Sequence, residues 1–321
     1  MIPRIFQDRT EHETLWRTAA QLLELERIMS GAVQEISANY DAATHSCPLF
    51  ADFGRGSMQA LGIALPAERV EAGIRLLAAI SGKVIEPEEP FLNLVLRNGA
   101  RFSAGVRPGS DGPTFSIRTH WRPIRPLEDF VRGAWQLALI DSALCHSDNI
   151  VVAGATNAGK TTFVNALAAR LIEFRPDDRL AIIEDEPELR IHARNAIHRI
   201  ARGNADMRRH VREVLRMRPD RIIIGEVRGP EALDLLKAWN TGHAGNFTTV
   251  HANNARAALL RLESLVEEAG VPPNPRLIAE GINLLIFIAR HEDGSRRIEE
   301  LIRVEGYEPN VGYQLRELRE E

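Results

Sequence analysis

Apolar residues change their period several times along the chain, and each change predicts a change of element. From Thr14 to Ile36 they recur at Leu15, Ala19, Leu22, Met29, Val33 and Ile36, the spacing of one helix face or of two consecutive helices. Short alternating runs follow at Leu49–Phe53 and Ser57–Ile63, and helical spacing returns from Ala67 to Ile80. Leu92–Arg97 and Arg101–Arg107 flank Asn98-Gly99, a dipeptide that suits a two-residue hairpin turn with positive φ at both positions. Thr114–Thr119 reads as one more strand, so residues 1–120 predict a small α+β domain.

The proline-rich WRPIRP, from Trp121 to Pro126, breaks regular structure and reads as a linker. Strand and helix signals then alternate: helix Leu127–Asp141, strand Asn149–Ala153, helix from Lys160, strand Leu180–Glu184 and helix Asp206–Met217. Strand Arg221–Gly225, helix Pro230–Ala238 and strand Asn246–Val250 continue the series, and Asp293-Gly294 suggests a closing hairpin. Such alternation predicts an α/β fold with a mostly parallel sheet covered by helices.

Composition narrows the picture little. Hydrophobic residues make up 44% and charged residues 26% of 321 positions, which is globular and long enough for two domains. A net charge of −4 argues against global affinity for nucleic acid or anionic lipid. Cys47 and Cys145, far apart, fit a reducing cytoplasm better than a disulfide scaffold. No leader pattern is visible at the start, and the apolar run Leu284–Ala289 is too short to span a bilayer. Of the 40 basic residues only Lys83, Lys160 and Lys237 are lysines, so arginine clusters are weak evidence here.

Candidate chemistry lies at the ends of the later strands. IVVAGATNAGKTTF contains the phosphate-loop pattern G-x-x-x-x-G-K-[ST] at Gly154, Gly159, Lys160 and Thr161, with a strand before it and a helix after it. Its glycines let the backbone curl through Ala155, Thr156, Asn157 and Ala158 so that N–H groups face a phosphate at the positive end of a helix. Lys160 would then reach the β and γ phosphates of ATP, Thr161 the Mg2+ ion, and Thr162 a further phosphate oxygen. A glycine turn that merely caps a helix is the competing reading, and a compact ammonium in an arginine-rich chain weighs against it. IIEDEPEL ends a second strand on Glu184, Asp185, Glu186 and Glu188, where acids border the ligand crevice of an α/β sheet. RIIIGEVRG ends a third on Glu226, preceded by Gly225 where a metal-binding aspartate would be ordinary, and followed by Arg228. His243 and His251 flank a short strand, eight positions apart and without metal-ligand spacing; contact with nucleotide phosphate or with a neighbouring molecule is the better reading.

The loop GATNAGKTT, the acid box IEDEPEL, the strand IIIGEVRGPEAL and the histidine box GHAGNFTTVHAN, in this order, resemble the type II/type IV secretion ATPase superfamily. The leading domain with SIR at Ser116–Arg118 and the form GEVRGPEA are most similar to the conjugative-transfer (TrbB-like) ATPases of type IV secretion. The likeness covers Leu92–Asn254 most closely, and glycine before the acid is normal in that family.

The resemblance implies a RecA-like P-loop ATPase domain over 132–321, preceded by a smaller α+β domain over 1–120 and a linker over 121–131. It casts Glu188 as the base that orients water, Glu184, Asp185 and Glu226 as acids near the metal, and His251 as a γ-phosphate sensor. Arg118, with Arg107 and Arg101, resembles the arginines that the leading domain offers to the nucleotide. It further implies a homohexamer at the cytoplasmic face of the inner membrane, beneath secretion-channel components, with peripheral membrane association. A pilus assembly or retraction motor is the alternative, disfavoured because no four-cysteine zinc motif is present; a nucleotide-gated ring with little turnover is another. The basic stretch Arg199–Arg221 leaves open a pore lining, a neighbour's ATP, nucleic acid, lipid or a salt-bridged face.

Overall fold

The computed structural model describes residues 9–24, 33–53, 57–96, 100–119 and 124–320, with side chains from 14 onward. The chain divides into two compact units, Met1–Arg122 and Pro123–Glu321.

The first unit contains helices α1 (Arg9–Leu22) and α2 (Ala67–Ile80) and strands β1 (Glu35–Ala38), β2 (Ser46–Asp52), β3 (Gln59–Pro66), β4 (Phe91–Val95), β5 (Arg101–Gly105) and β6 (Thr114–Arg118). The strands form one sheet in the order β3-β2-β1-β6-β5-β4, every neighbour antiparallel. One face packs on the helices: Ile36, Leu49, Phe102 and Ile117 meet Ala19, Leu23, Ile74 and Leu77 in a common core. Helical spacing made α2 legible, and alternation most of the strands. The helix expected to continue to Ile36 ends at Leu22, and Ile36 instead alternates inward with Ala38 on β1. Met29 and the Asn98-Gly99 turn lie outside the described residues, although Leu96 N–H bonds Ala100 O at 2.7 Å beside the latter.

The second unit contains helices α3 (Ala134–Cys145), α4 (Lys160–Phe174), α5 (Met207–Leu215), α6 (Glu231–Trp239), α7 (Ala255–Glu267) and α8 (Pro275–Gly281). Its strands are β7 (Ile150–Gly154), β8 (Leu180–Glu184), β9 (Ala196–Ile200), β10 (Arg221–Ile224), β11 (Phe247–His251), β12 (Leu284–Arg290), β13 (Arg296–Glu308) and β14 (Gly312–Glu317). They form one sheet in the order β14-β13-β12-β7-β11-β10-β8-β9, parallel from β12 to β9 and closed on the other side by antiparallel β13 and β14. All five residues of β7 and of β8 are buried, as expected of strands covered on both faces. Each buried Val, Leu or Ile there stabilises the sheet by about 1.5–3 kcal/mol relative to exposure.

The helix expected over Leu127–Asp141 starts only at Ala134, because Gly133 ahead of it is fully extended. Leu127 instead begins a short 3-10 turn that Phe130 caps, and both are buried in the cluster of Phe163 and Ile298. Strands β9 and β14 and helices α7 and α8 were not anticipated. The spacing Ala255, Ala258, Leu259, Leu262 behind the capping residue Asn254 was the missed sign of α7, whereas β9 is mixed in polarity and carries no such signal. Among the described residues no helix is long and apolar enough to cross a membrane.

Candidate functional site

The carboxyl ends of β7, β8, β10 and β11 bring four distant segments together. Gly154 ends β7, and Gly159, at φ 95°, caps α4; Asn157 is also left-handed, at φ 63°. A β-carbon on Gly154 would lie 2.7 Å from the backbone oxygen of Ile288, so only glycine fits. The turn between them, through Ala155–Ala158, delivers the chain onto the positive end of a 15-residue helix.

Lys160 is 7% exposed, and its Nζ donates to the carbonyls of Gly154 and Ala155 at 3.1 Å and to His251 Nδ1 at 3.0 Å. Burial pulls its pKa down to about 8, against the attraction of Glu226. His251 lies at the end of β11, in register with Gly154 of β7. Burial and then the Lys160 charge hold the imidazole below its ordinary value, so at neutral pH it is an acceptor for the ammonium. Its Nε2 is 2.8 Å from Glu226 Oε1, out of line for a hydrogen bond, which leaves that buried oxygen without a donor.

Arg228 joins the two outer acids. Its Nη1 donates to Asp185 Oδ2 at 2.6 Å, and its Nε and Nη2 donate to Glu226 Oε2 at 2.9 and 2.6 Å. Thr161 Oγ1 donates to Glu188 Oε2 at 2.9 Å, placing the acid box against the first turn of α4. Thr162 follows on the same turn, half-buried. Glu184, expected near the metal, is turned inward: it is 2% exposed, and its Oε1 accepts the N–H groups of Glu188 and Leu189 at 2.9 and 2.7 Å. Burial raises its carboxyl to about 7 despite those two bonds.

The oxygen donors suit a hard divalent cation. Thr161 hydroxyl, Asp185, Glu188 and Glu226 carboxylates offer only oxygen, and Glu226 Oε1 is a buried acceptor still lacking a donor. Among the described residues no three His, Cys, Asp or Glu form a ready metal cage.

Other expected residues stand apart. His243 precedes β11, whose far end carries His251, and its carbonyl accepts from Asn246 Nδ2. Within the first unit, Arg118 is the cross-strand partner of Arg101 and Glu35, and Arg107 Nε donates to Asp111 O at 2.6 Å. Along the basic stretch, Arg208 and Arg212 share Asp234, Arg216 meets Glu213, and Arg221, buried, bonds Asp178. Asn165 was overlooked: its Oδ1 accepts Arg190 N–H at 2.7 Å, bracketing the acid box from α4. Its place four residues after Thr161, on the same helix face, was the available signal.

Residues 127–295 match the family described as type II/IV secretion system protein. The conjugal transfer protein TrbB of Rhizobium radiobacter is 42% identical over 230 residues, 70% of this chain and 71% of that protein. A probable conjugal transfer protein TrbB of Sinorhizobium fredii is 40% identical over 70% of each chain. The solved Legionella pneumophila ATPase DotB superposes with a TM-score of 0.61 over 92% of this chain and 82% of its own, at 18% identity, a likeness of fold. A family model matched over more than half of the chain, together with conjugal transfer relatives 40–42% identical over 70% of it, establishes that the chain belongs to the type II/IV secretion system protein family.

Proposed function

We propose that the second unit binds and hydrolyses ATP with Mg2+, and that a homohexamer of the chain uses this hydrolysis to power a conjugative type IV secretion apparatus. The observation that carries the reading is Lys160, desolvated between the loop carbonyls and His251, with Glu188 and Glu226 on either side. Lys160 binds the β and γ phosphates, for which its ammonium exchanges its carbonyl partners. His251, already in contact with that ammonium, senses the γ phosphate, and Glu226, beside the imidazole, shares its neighbourhood. Glu188, released from Thr161, takes the proton of the attacking water. Thr161, Asp185 and Glu226 would hold a magnesium ion, which would supply positive charge to neutralise the phosphoryl oxygens.

The arginines Arg118, Arg107 and Arg101 of the first unit serve the nucleotide of their own or an adjacent subunit. The conjugal transfer relatives support placing the ring at the cytoplasmic face of the inner membrane, in peripheral contact with channel components. No nucleic-acid role is included, since much of the Arg199–Arg221 charge is matched by acids. The test is ATP binding and turnover of purified wild type and Lys160→Ala, with mating efficiency of a strain carrying each. Wild-type ATP affinity in the variant would overturn the phosphate-loop assignment, and unimpaired mating would overturn the coupling.

A further inference from the structure

Glu188 sits on a loop, and a loop residue acts on water only if its backbone is held. Three side chains hold this one. Thr161 and Asn165 reach it from α4, at Glu188 Oε2 and at the 190 amide. The third is Glu184, whose single oxygen Oε1 takes the consecutive amides of Glu188 and Leu189.

The room for that side chain comes from the neighbouring strand. A β-carbon on residue 225 would lie 3.1 Å from Glu184 Cγ and 3.4 Å from its Oε1. The backbone around that position is tied on both sides: Gly225 N–H bonds Ile183 O at 2.9 Å, and Gly225 O accepts from Thr249 Oγ1 at 2.8 Å. The glycine that precedes Glu226 is therefore the space into which Glu184 packs.

We infer that Glu184 is a positioning residue: its acceptor oxygen fixes the 188–189 backbone so that Glu188 faces Thr161 and the nucleotide, and Gly225 is the notch that admits it. This deepens the proposed hydrolysis and rests on Glu188 as the group that orients water. The task needs an acceptor and not a charge.

The experiment measures kcat, KM, ATP affinity, Mg2+ requirement and thermal unfolding for Glu184→Gln, Glu184→Ala, Gly225→Ala and the double variant Glu184→Ala/Gly225→Ala. Glutamine keeps an acceptor oxygen and should stay within about threefold of wild-type kcat, whereas Glu184→Ala and Gly225→Ala should each lose about tenfold to a hundredfold in kcat at unchanged ATP affinity. The double variant should be no worse than Glu184→Ala, since the methyl group of residue 225 then meets empty space. Loss in Glu184→Gln equal to that in Glu184→Ala, with a raised Mg2+ requirement, would make Glu184 a metal ligand and overturn the inference. So would full kcat in Glu184→Ala, or in Gly225→Ala should the former fail to fold. Glu188→Gln, run alongside, separates the two levels: if it keeps full turnover, the hydrolysis reading itself fails.

Discussion

Lys160 Nζ and His251 Nδ1 are 3.0 Å apart although 91 residues separate them, and the ring turns its other nitrogen to Glu226. An ammonium so placed has left water before any phosphate arrives, which is why its pKa falls to about 8.

Nucleotide affinity should therefore weaken with rising pH. The free protein loses the Lys160 proton through about pH 8, while bound phosphate favours the charged form. Between pH 7 and 9 the ADP dissociation constant should rise about tenfold, by linkage to one proton. Titration with a fluorescent ADP analogue checks this, and a flat profile would mean that Lys160 keeps its proton throughout.

Glu226→Gln should keep ATP binding and lose about two to four powers of ten in turnover. The amide retains the shape that Arg228 and His251 contact but withdraws the charge facing the metal and its waters. Equilibrium binding and steady-state hydrolysis of one preparation decide it; half of normal turnover would remove Glu226 from the chemistry.

Glu184 predicts a pH effect on stability with a definite sign. Its folded pKa, about 7, lies above the ordinary 4.5, so the folded state holds an extra proton between these values and its stability falls as pH rises through that window. The unfolding free energy of wild type relative to Glu184→Gln should decrease from pH 4.5 to pH 7 by up to about 3 kcal/mol. Urea unfolding of both proteins at stepped pH reads the difference, and parallel curves would contradict the raised pKa.

Arg118→Ala should reduce single-turnover hydrolysis by about a thousandfold, the scale of an arginine closing over a γ phosphate. Light scattering with and without ATP should report tightening of the wild-type ring and less of it in the variant. Undiminished turnover, or monomers at every concentration, would limit the first unit to docking.

The part of the site legible in the sequence is local. The phosphate loop is one uninterrupted segment, and its shape follows from glycines at 154 and 159 between a strand and a helix, so Lys160 and Thr161 could be named at once. The helix Ala67–Ile80 and the buried runs Leu180–Glu184 and Arg221–Ile224 were equally legible, because period and apolar content are properties of adjacent residues. Only the tertiary structure decided which acid faces what. Glu184 and Asp185 are neighbours in the chain, yet one is turned into the protein and the other out to Arg228, and Gly225 has its purpose only because β8 and β10 lie side by side. His251 meets Lys160, and His243 does not, because β11 pairs with β7 in a register that puts His251 opposite Gly154. Strand order and register arise from how crossover helices pack on the sheet, a balance of contacts between distant segments that no local pattern encodes.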